Sequence, residues 1–285
     1  MTEEGKIEKV DEGFLLTLPY KSSLEGKPGI EVFEGPDDKV CRKLFTRKKI
    51  YLPGEEAKAV QDILAGPDVV VLGMNGYSAL SAERCQAWGI KPGAYEAACQ
   101  KLLHNVVRKL QAQYAGVNVR IVHGASNMGV DEAVMSTCRK LNLINLGHNC
   151  PRWMIYVQDD DEPVYVAQNQ SEYSRSFVRS LDILIAANGA QQSFSHDIAA
   201  AFEFQKHVIP INLIGSISTT GGPAAISPKG LIEDAVAAFN RLIHQINVQT
   251  NRAEYDAYAD LCGKVESTVI NIARPMLSPA RAYQV

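Results

Sequence analysis

The stretch VRIVHGASNMGVDEAVMSTCRKLNLINLG, residues 119–147, contains the pattern from which the fold can be predicted. An apolar run is followed by a loop of small residues, a segment with apolar residues at helical spacing, and a second apolar run. This order predicts a strand, a helix and another strand, the unit from which parallel sheets are built.

The same alternation extends over most of the chain from residue 67 onward. Continuous apolar runs, which are typical of strands buried on both faces, occur at residues 68–76, 117–124, 143–149, 182–189 and 207–215. Helical segments separate these runs, and a last one covers residues 231–248. The alternation predicts an α/β protein, a three-layer sandwich in which helices cover both faces of a mostly parallel sheet.

The composition divides the chain into three parts. Residues 1–66 contain short β-like runs between Gly, Pro and Asp turn signals, which predicts a small β-rich N-terminal appendage. Residues 67–248 are predicted to form the α/β domain. Residues 249–285 form a C-terminal tail, with a helix predicted around AEYDAYADLCGKV.

The overall charge and the cysteines limit the classes of function. A net charge of -3 and a pI of 6.1 give no general attraction to nucleic acid or to an anionic membrane. No run approaches the roughly 18 apolar residues that span a bilayer. Six scattered cysteines without a CxxC pair indicate reduced thiols rather than a disulfide framework or a metal site. We expect a cytoplasmic protein with no metal and no cofactor.

Three loops rich in Gly, Ser and Asn follow predicted strands: GMNGYSALS at 73–81, GASNMGVDE at 124–132 and NGAQQSFSHD at 188–197. Ligands of open α/β sheets bind outside the carboxyl ends of the strands, so these loops predict the binding site. The predicted ligand-binding residues are Gly73, Asn75, Gly76, Gly124, Ser126, Asn127, Met128, Gly129, Asn188, Gly189 and Ser193.

The second loop has two interpretations. Gly129 lies near the first turn of a helix, where unpaired N–H groups and the helix dipole favour an anion such as phosphate. Alternatively, Ser126 or Asn127 caps the helix, and Asp131 and Glu132 complement its dipole. The loop has neither the GK[ST] of a Walker A motif nor a GxGxxG fingerprint.

The same residues carry a resemblance to a known superfamily. VRIVHGASNMGVDEAVMSTC resembles the GGGxxGxM(E/D)A loop of LOG-type phosphoribohydrolases and the SGxAxGID loop of the DNA-processing protein DprA. FVRSLDILIAANGAQQSFSHDIAAAFEFQKHVIPINLIG resembles the second half of both families. They belong to the SLOG superfamily, and the resemblance, over residues 68–215, implies a Rossmann-like fold that binds nucleotides. It also implies a homo-oligomer.

The resemblance is incomplete where LOG enzymes have their catalytic groups. The glutamate of PGGxGTxxE falls at His196, beside Asp197, and the upstream arginine falls near Tyr173. Cleavage of an N-glycosidic bond requires a carboxylate, and Asp131, Glu132 and Asp197 are the candidates that could replace it, with His196 as a further candidate acid.

Three functions therefore remain open. The first is a nucleotide sensor or binding module that lacks the LOG reaction, with the phosphate at residues 124–129 and Trp153 available to stack on a base. The second is a nucleoside-monophosphate N-glycosidase, or a related transferase, with a relocated carboxylate. The third is a DprA-like DNA-binding module, which the acidic chain disfavours because no stripe of Lys and Arg is present.

Overall fold

The computed structural model describes residues 5–24, 29–34, 39–189, 194–220 and 256–277. Within these ranges the strands form one antiparallel and one parallel sheet. The antiparallel sheet has the order β1-β2-β4-β3, with the bounds β1 (Lys6–Val10), β2 (Gly13–Pro19), β3 (Glu31–Glu34) and β4 (Lys39–Phe45). It confirms the predicted β-rich appendage. Strand β1 escaped prediction because four of its five side chains are not buried, which leaves no apolar alternation to detect.

The parallel sheet contains seven strands in the order β11-β10-β6-β7-β8-β9-β5. Their bounds are β5 (Ile50–Tyr51), β6 (Val69–Gly76), β7 (Asn118–His123), β8 (Asn145–Asn149), β9 (Val164–Val166), β10 (Ile183–Ala187) and β11 (His207–Ile211). The five predicted strands are all present. Strand β9 was not predicted, because three residues within a polar stretch are too few to show a period.

Helices cover both faces of the parallel sheet, as the alternation predicted. Their bounds are α1 (Glu56–Ala59, continued by a π-helical turn at Val60–Leu64), α2 (Ala82–Ala87), α3 (Ala94–Gln113), α4 (Gly129–Leu141), α5 (Gln170–Arg179), α6 (Ala199–Glu203, preceded by a π-helical turn at Phe194–Ile198), α7 (Leu213–Ile217) and α8 (Ala257–Ala273). Helices α3, α4, α7 and α8 share one hydrophobic core with the sheet, and α1, α5 and α6 share a second core on the other face. The arrangement is a Rossmann-like three-layer sandwich. The helix predicted over residues 231–248 lies outside the described residues.

The helix predicted in the C-terminal tail is α8, and it packs inside the first core. Leu261, Val265 and Val269 are fully buried there. The hydroxyl of Tyr258 donates a hydrogen bond to the carbonyl of Ala98 in α3, at 2.8 Å. Burial of this apolar face provides the helix with most of its stability.

The basic stretch FTRKKI, between β4 and β5, contacts the acidic stretch QDDDEP before β9. The carboxylate of Asp159 accepts hydrogen bonds from the backbone N–H groups of Thr46, Arg47 and Lys48, at 2.9–3.0 Å. The buried ammonium of Lys48 pairs with Asp160. A basic run of this composition is typical of a solvated strand face. This run instead attaches the antiparallel sheet to the parallel one.

The strand order creates a switch point at the centre of the parallel sheet. From β6 the chain builds outward through β7, β8 and β9, and then returns to place β10 on the other side of β6. Gly76 at the end of β6 lies opposite Ala187 at the end of β10. Ligands of such sheets bind in the crevice outside the strand ends at this point. The ends of β6, β7 and β10, which precede the three predicted loops, therefore share one edge.

No helix in the described ranges is both long enough and apolar enough to cross a membrane.

Candidate ligand-binding site

A cavity of about 300 Å³ lies at the carboxyl edge of the parallel sheet, beside the switch point. Its volume is at the lower end of the range for small-molecule sites, about 300–1,000 Å³. Each of the three predicted loops contributes to its wall. The lining residues are Met74, Asn75, Gly76, Tyr77, Ser78, Ala79, Arg84, Gly124, Ser126, Met128, Val130, Asp131, Asn149, Trp153, Tyr156, Gln170, Tyr173, Ser174, Phe177 and Asp197.

The carboxylate of Asp131 occupies the centre of the second loop. Its Oδ1 accepts a hydrogen bond from the backbone N–H of Gly124 at 2.9 Å, and its Oδ2 accepts one from the hydroxyl of Ser126 at 2.6 Å. Burial raises the pKa of Asp131, while these donors act in the opposite direction. A Cβ at Gly124 would collide with this carboxylate. Glycine at this position therefore leaves space for the carboxylate of Asp131. The donors expected for a phosphate already serve a carboxylate of the chain.

The first turn of α4 is also bound to protein groups. Gly129 has a φ of 56°, and a Cβ at this position would collide with the backbone of Tyr77 and Ser78. The next N–H group, that of Val130, donates to the carbonyl of Tyr77 at 3.1 Å. Gly129 therefore permits close approach of the loop after β6. The sequence predicts that a ligand approaches at Gly129, but in the structure the backbone of Tyr77 and Ser78 lies there.

The capping interpretation of the second loop also needs correction. Helix α4 begins after Met128, and no side chain caps it, so neither Ser126 nor Asn127 is the N-cap. Asn127 is outside the cavity lining, and its N–H donates to the carbonyl of Tyr156 at 3.0 Å. Ser126 and Met128 do line the cavity.

Asn75, Asp197 and Ser174 form the floor of the cavity. Nδ2 of Asn75 donates to Oδ2 of Asp197 at 3.1 Å, and Ser174 provides a second hydrogen bond to the same carboxyl group. Burial raises the pKa of Asp197 to about 6, and the charge of Asp131 acts in the same direction. The charge of the neighbouring His196 opposes this shift. A carboxyl group with such a pKa changes its charge close to neutral pH.

Tyr95 holds the two sides of the switch point together. Its hydroxyl donates to the carbonyl of Ala187 at 2.6 Å and accepts from the N–H of Tyr77 at 3.1 Å. A Cβ at Gly76 would collide with this hydroxyl. Gly76 lines the cavity, whereas Gly73 lies inside β6, where a Cβ would meet the side chain of Leu181.

The third loop begins with a structural asparagine. Asn188 is buried with a φ of 62°, a conformation that asparagine tolerates better than most residues. Its Oδ1 accepts from the N–H of Ile214 at 2.9 Å, and its Nδ2 donates to Asn212 at 3.0 Å. It fixes the end of β10 against α7 and is not part of the cavity lining. Gly189 follows it with a φ of 136°, and Ser193 lies outside the described residues.

Aromatic side chains form a large part of the cavity wall. Trp153 stacks on Tyr156 with ring centroids 6.2 Å apart and planes inclined by 30°. Flat apolar faces of this kind bind a planar ring well. The aromatic lining residues are Tyr77, Trp153, Tyr156, Tyr173 and Phe177.

Arg84 is the single lysine, arginine or histidine among the described lining residues. It is exposed on α2, where its backbone N–H donates to Ser81. In the described part of the chain, no carboxylate forms an ion pair with its guanidinium. Its charge acts on the hydroxyl of Tyr77, whose pKa is nevertheless raised by burial. The guanidinium is available to an anion at the cavity.

Other predicted catalytic residues lie away from the cavity lining. Glu132 forms an ion pair with Arg139 at 2.7 Å. His196 does not line the cavity either. Two arginines on the helix of Tyr173 also form ion pairs, Arg175 with Glu203 and Arg179 with Glu56. Of the four catalytic candidates, the structure brings Asp131 and Asp197 together.

The histidines at the strand ends have structural partners. His123 accepts from the N–H of Ala125 at 3.0 Å and contacts Asn145 at 2.9 Å, and burial lowers its pKa to about 4. Burial also lowers the pKa of His148 to about 3, and its Nδ1 contacts Ser176 at 3.2 Å. All six cysteines are buried thiols that form no disulfide. No cluster of potential metal ligands occurs among the described residues.

Several lining residues were not predicted. Tyr156, Gln170, Tyr173 and Ser174 come from the turn before β9 and from the start of α5. Neither segment belongs to a glycine-rich loop. Local composition contains no signal for them, since they reach the site only through the path of the chain between β8 and β10.

Comparisons with known proteins yield similarity of shape alone. No family and no curated protein matches the sequence. The molybdenum cofactor carrier protein from Chlamydomonas reinhardtii shares 16% identity over 70% of this chain and 98% of its own, with a TM-score of 0.42. The molybdenum cofactor binding protein from the phototrophic bacterium Rippkaea orientalis shares 15% over 72% and 98%, with a TM-score of 0.39. The protein TM1055 shares 18% over 62% and 91%, with a TM-score of 0.38. The ligand of this chain must be inferred from its own cavity.

Proposed function

We propose that this chain is a SLOG-type binding protein that takes up a nucleotide or another phosphorylated nucleoside in the cavity beside the switch point. One observation supports the proposal above the others. Aromatic side chains line the same cavity as a guanidinium that has no carboxylate partner in the described part of the chain, at the sheet edge where α/β proteins bind ligands.

The aromatic wall is suited to the base. Trp153 and Tyr156 line the cavity, with Arg152 over the Trp153 ring at 5.0 Å, and Tyr77 lines the cavity from another element. Stacking of a base on an aromatic side chain contributes about 1–3 kcal/mol in single-stranded nucleic-acid complexes. Any nucleobase can stack on an aromatic ring, so the aromatic residues are consistent with a nucleobase but do not indicate which one.

The phosphate is placed at Arg84 in this proposal. Residues 124–129 were the first candidates, but the carboxylate of Asp131 already holds the N–H of Gly124 and the hydroxyl of Ser126. A phosphate there would lie beside a carboxylate and compete with it for the same donors. A guanidinium without a carboxylate partner offers a charge-assisted contact instead.

Binding affinities of matched ligands test the location of the phosphate. Titration calorimetry is carried out with adenosine, guanosine and their 5′-monophosphates. Arg84→Ala is expected to weaken binding of the monophosphates by about tenfold, roughly 1.4 kcal/mol, and to leave the nucleosides within about twofold. Arg108→Ala is the matched control, because Arg108 is an exposed arginine of α3 outside the cavity lining. Equal losses for nucleosides and monophosphates would remove Arg84 from the phosphate site.

A second pair of variants tests the cavity itself. Ala79 is an exposed lining residue, so Ala79→Trp places a large ring in the entrance without replacing a core side chain. Ala112→Trp adds the same ring to an exposed position of α3. The proposal expects binding to be lost in the first variant and retained in the second. Retained binding in Ala79→Trp would place the ligand elsewhere.

Hydrolysis of the N-glycosidic bond is the second candidate function, and Asp197 favours it. A carboxylic acid with a pKa of about 6 in a cavity can donate its proton to the base nitrogen as the bond between sugar carbon and base breaks. Water then adds to the sugar carbon, and the proton that the water loses returns to the carboxylate. Chromatography of each bound nucleotide for released base distinguishes the two functions. The binding module releases none, whereas the hydrolase releases base and loses this activity in Asp197→Asn.

We also propose a homo-oligomer in the cytoplasm. The resemblance to LOG proteins supports the first point, and six buried thiols without a disulfide support the second. Light scattering across a range of concentrations tests the assembly, and a concentration-independent monomer would exclude it.

A further inference from the structure

An unsatisfied acceptor lies at the floor of the cavity. The side chain of Asn75 is buried, with 6% of the residue exposed, and its Nδ2 donates to Asp197. Its Oδ1 has no hydrogen-bond partner among the described residues. A buried carbonyl oxygen without a donor destabilises the folded state. Such groups are rare in folded proteins, and this one belongs to a residue that lines the cavity.

Two carboxyl groups, which are further acceptors, line the same cavity as this oxygen. The carboxyl groups of Asp197 and Asp131 line the same cavity, and burial raises the pKa of both. Asp131 already accepts from Gly124 and Ser126. Among the described residues, Asp197 accepts hydrogen bonds from Asn75 and Ser174. Its carboxyl group therefore retains capacity for a further donor, directly beside the unsatisfied oxygen.

We infer that the floor of the cavity binds a pair of adjacent hydrogen-bond donors on the nucleotide, one donated to Oδ1 of Asn75 and the other to the carboxyl group of Asp197. This inference rests on the proposed function, and it adds the orientation of the ligand. The donor-bearing part lies at the floor and the anionic part at Arg84. The reverse orientation would place a phosphate against two carboxyl groups.

A nucleotide carries two pairs of adjacent donors of this kind. The ribose presents its 2′ and 3′ hydroxyl groups, and a carboxylate is a common acceptor for ribose hydroxyls in Rossmann folds. The guanine edge presents a ring N–H beside an exocyclic amino group, which a carboxylate also accepts. Both pairs have the same hydrogen-bonding chemistry, and ligand analogues separate them.

The experiment combines ligand analogues with an isosteric variant. Calorimetry compares guanosine monophosphate with its 2′,3′-dideoxy analogue, which lacks the hydroxyl pair, and with inosine monophosphate, which lacks the amino group. In the unmodified protein, removing the pair that binds the floor is expected to weaken binding by at least about tenfold. In Asp197→Asn, removing the same donors from the ligand is expected to change affinity by less than about threefold. The reason is that this variant has already lost the carboxyl group that accepts one of the two hydrogen bonds.

A matched control and the possible outcomes complete the test. Asp161→Asn makes the same replacement at an exposed ion pair with Arg47, and it should retain the full tenfold loss. If the 2′,3′-dideoxy analogue binds more weakly, the floor binds the ribose. If inosine monophosphate binds more weakly, the floor binds the base. Nucleotide binding with neither effect, or with equal effects in both proteins, would overturn the inference and leave the proposed function intact. Absence of binding by every nucleotide would overturn both.

Discussion

Replacing Asp197 with asparagine should make the folded protein more stable at neutral pH. The replacement keeps the shape of the side chain and removes its ability to ionise. The carboxyl group lines a cavity and lies near Asp131, so its charged form is poorly stabilised in the folded state. Asparagine retains an acceptor for Nδ2 of Asn75, and its amide can also donate to the unsatisfied Oδ1.

The pKa of Asp197 sets the direction and the upper limit of the effect. In the folded protein it is raised from 3.8 to about 6. Between these values the folded chain keeps the proton that the unfolded chain has released, so stability decreases as the pH rises. The decrease is nearly complete above pH 6, and the full shift corresponds to about 3 kcal/mol. Water in the cavity lowers this figure, which we take as an upper limit.

Urea denaturation of both proteins between pH 4 and pH 8 measures the effect. The stabilities of Asp197→Asn and the unmodified protein should be close at pH 4, and the variant should lead by up to about 3 kcal/mol at pH 7.5. The buried His123 and His148 also destabilise the fold in acid, but they are common to both proteins and cancel in the difference. Asp161→Asn, at an exposed ion pair, should differ by less than about 1 kcal/mol throughout. A difference between Asp197→Asn and the unmodified protein that does not change with pH would refute the reasoning.

Three further substitutions have expected outcomes. Gly129→Ala should destabilise the fold by more than about 1 kcal/mol, since its φ is 56° and its Cβ would collide with backbone; an unchanged urea midpoint would contradict this. Lys48→Met should cost about 3–5 kcal/mol, because it leaves a partly buried carboxylate without its partner, whereas Lys49→Met at the adjacent exposed position should cost less than about 1 kcal/mol. Tyr95→Phe should cost about 1–3 kcal/mol by removing two hydrogen bonds at the switch point, and a thermal melt identical to that of the unmodified protein would show that the strand ends do not depend on them.

The sheet could be predicted from the sequence because its signals are local. In β6, the residues VVVLGM contain no polar side chain, because helices cover both faces of the sheet and the strand is buried over consecutive residues. Strand β9 shows the limit of this reasoning. Its three residues are buried between β8 and β5, but they stand in a polar segment, and their partners lie far away in the sequence.

The sequence predicted that three loops lie at one edge of the sheet, and the structure has a cavity lined by parts of all three. The sequence predicted that Gly124 and Gly129 bind a ligand. In the structure, each glycine makes room for another part of the protein, and local sequence patterns do not show these contacts. The partner of Gly124 is the carboxylate of Asp131, in the first turn of α4, and the partner of Gly129 is the backbone at Ser78. Tyr173 illustrates the remaining gap. It was recognised as the residue standing in place of an arginine, and only the packing of α5 shows that its ring lines the cavity.

Asp131 behaves as an intramolecular ligand of its own loop. Because Asp131 is attached to the chain, its carboxylate acts at an effective concentration far above that of a free anion in the cell. The loop at residues 124–129 therefore stays in the conformation that binds this carboxylate, with or without a nucleotide. The loop therefore loses its conformational entropy when the protein folds, and not when a ligand binds. Replacing Asp131 with alanine would vacate the position, and small carboxylates such as formate or acetate should then restore stability to that variant but not to the unmodified protein.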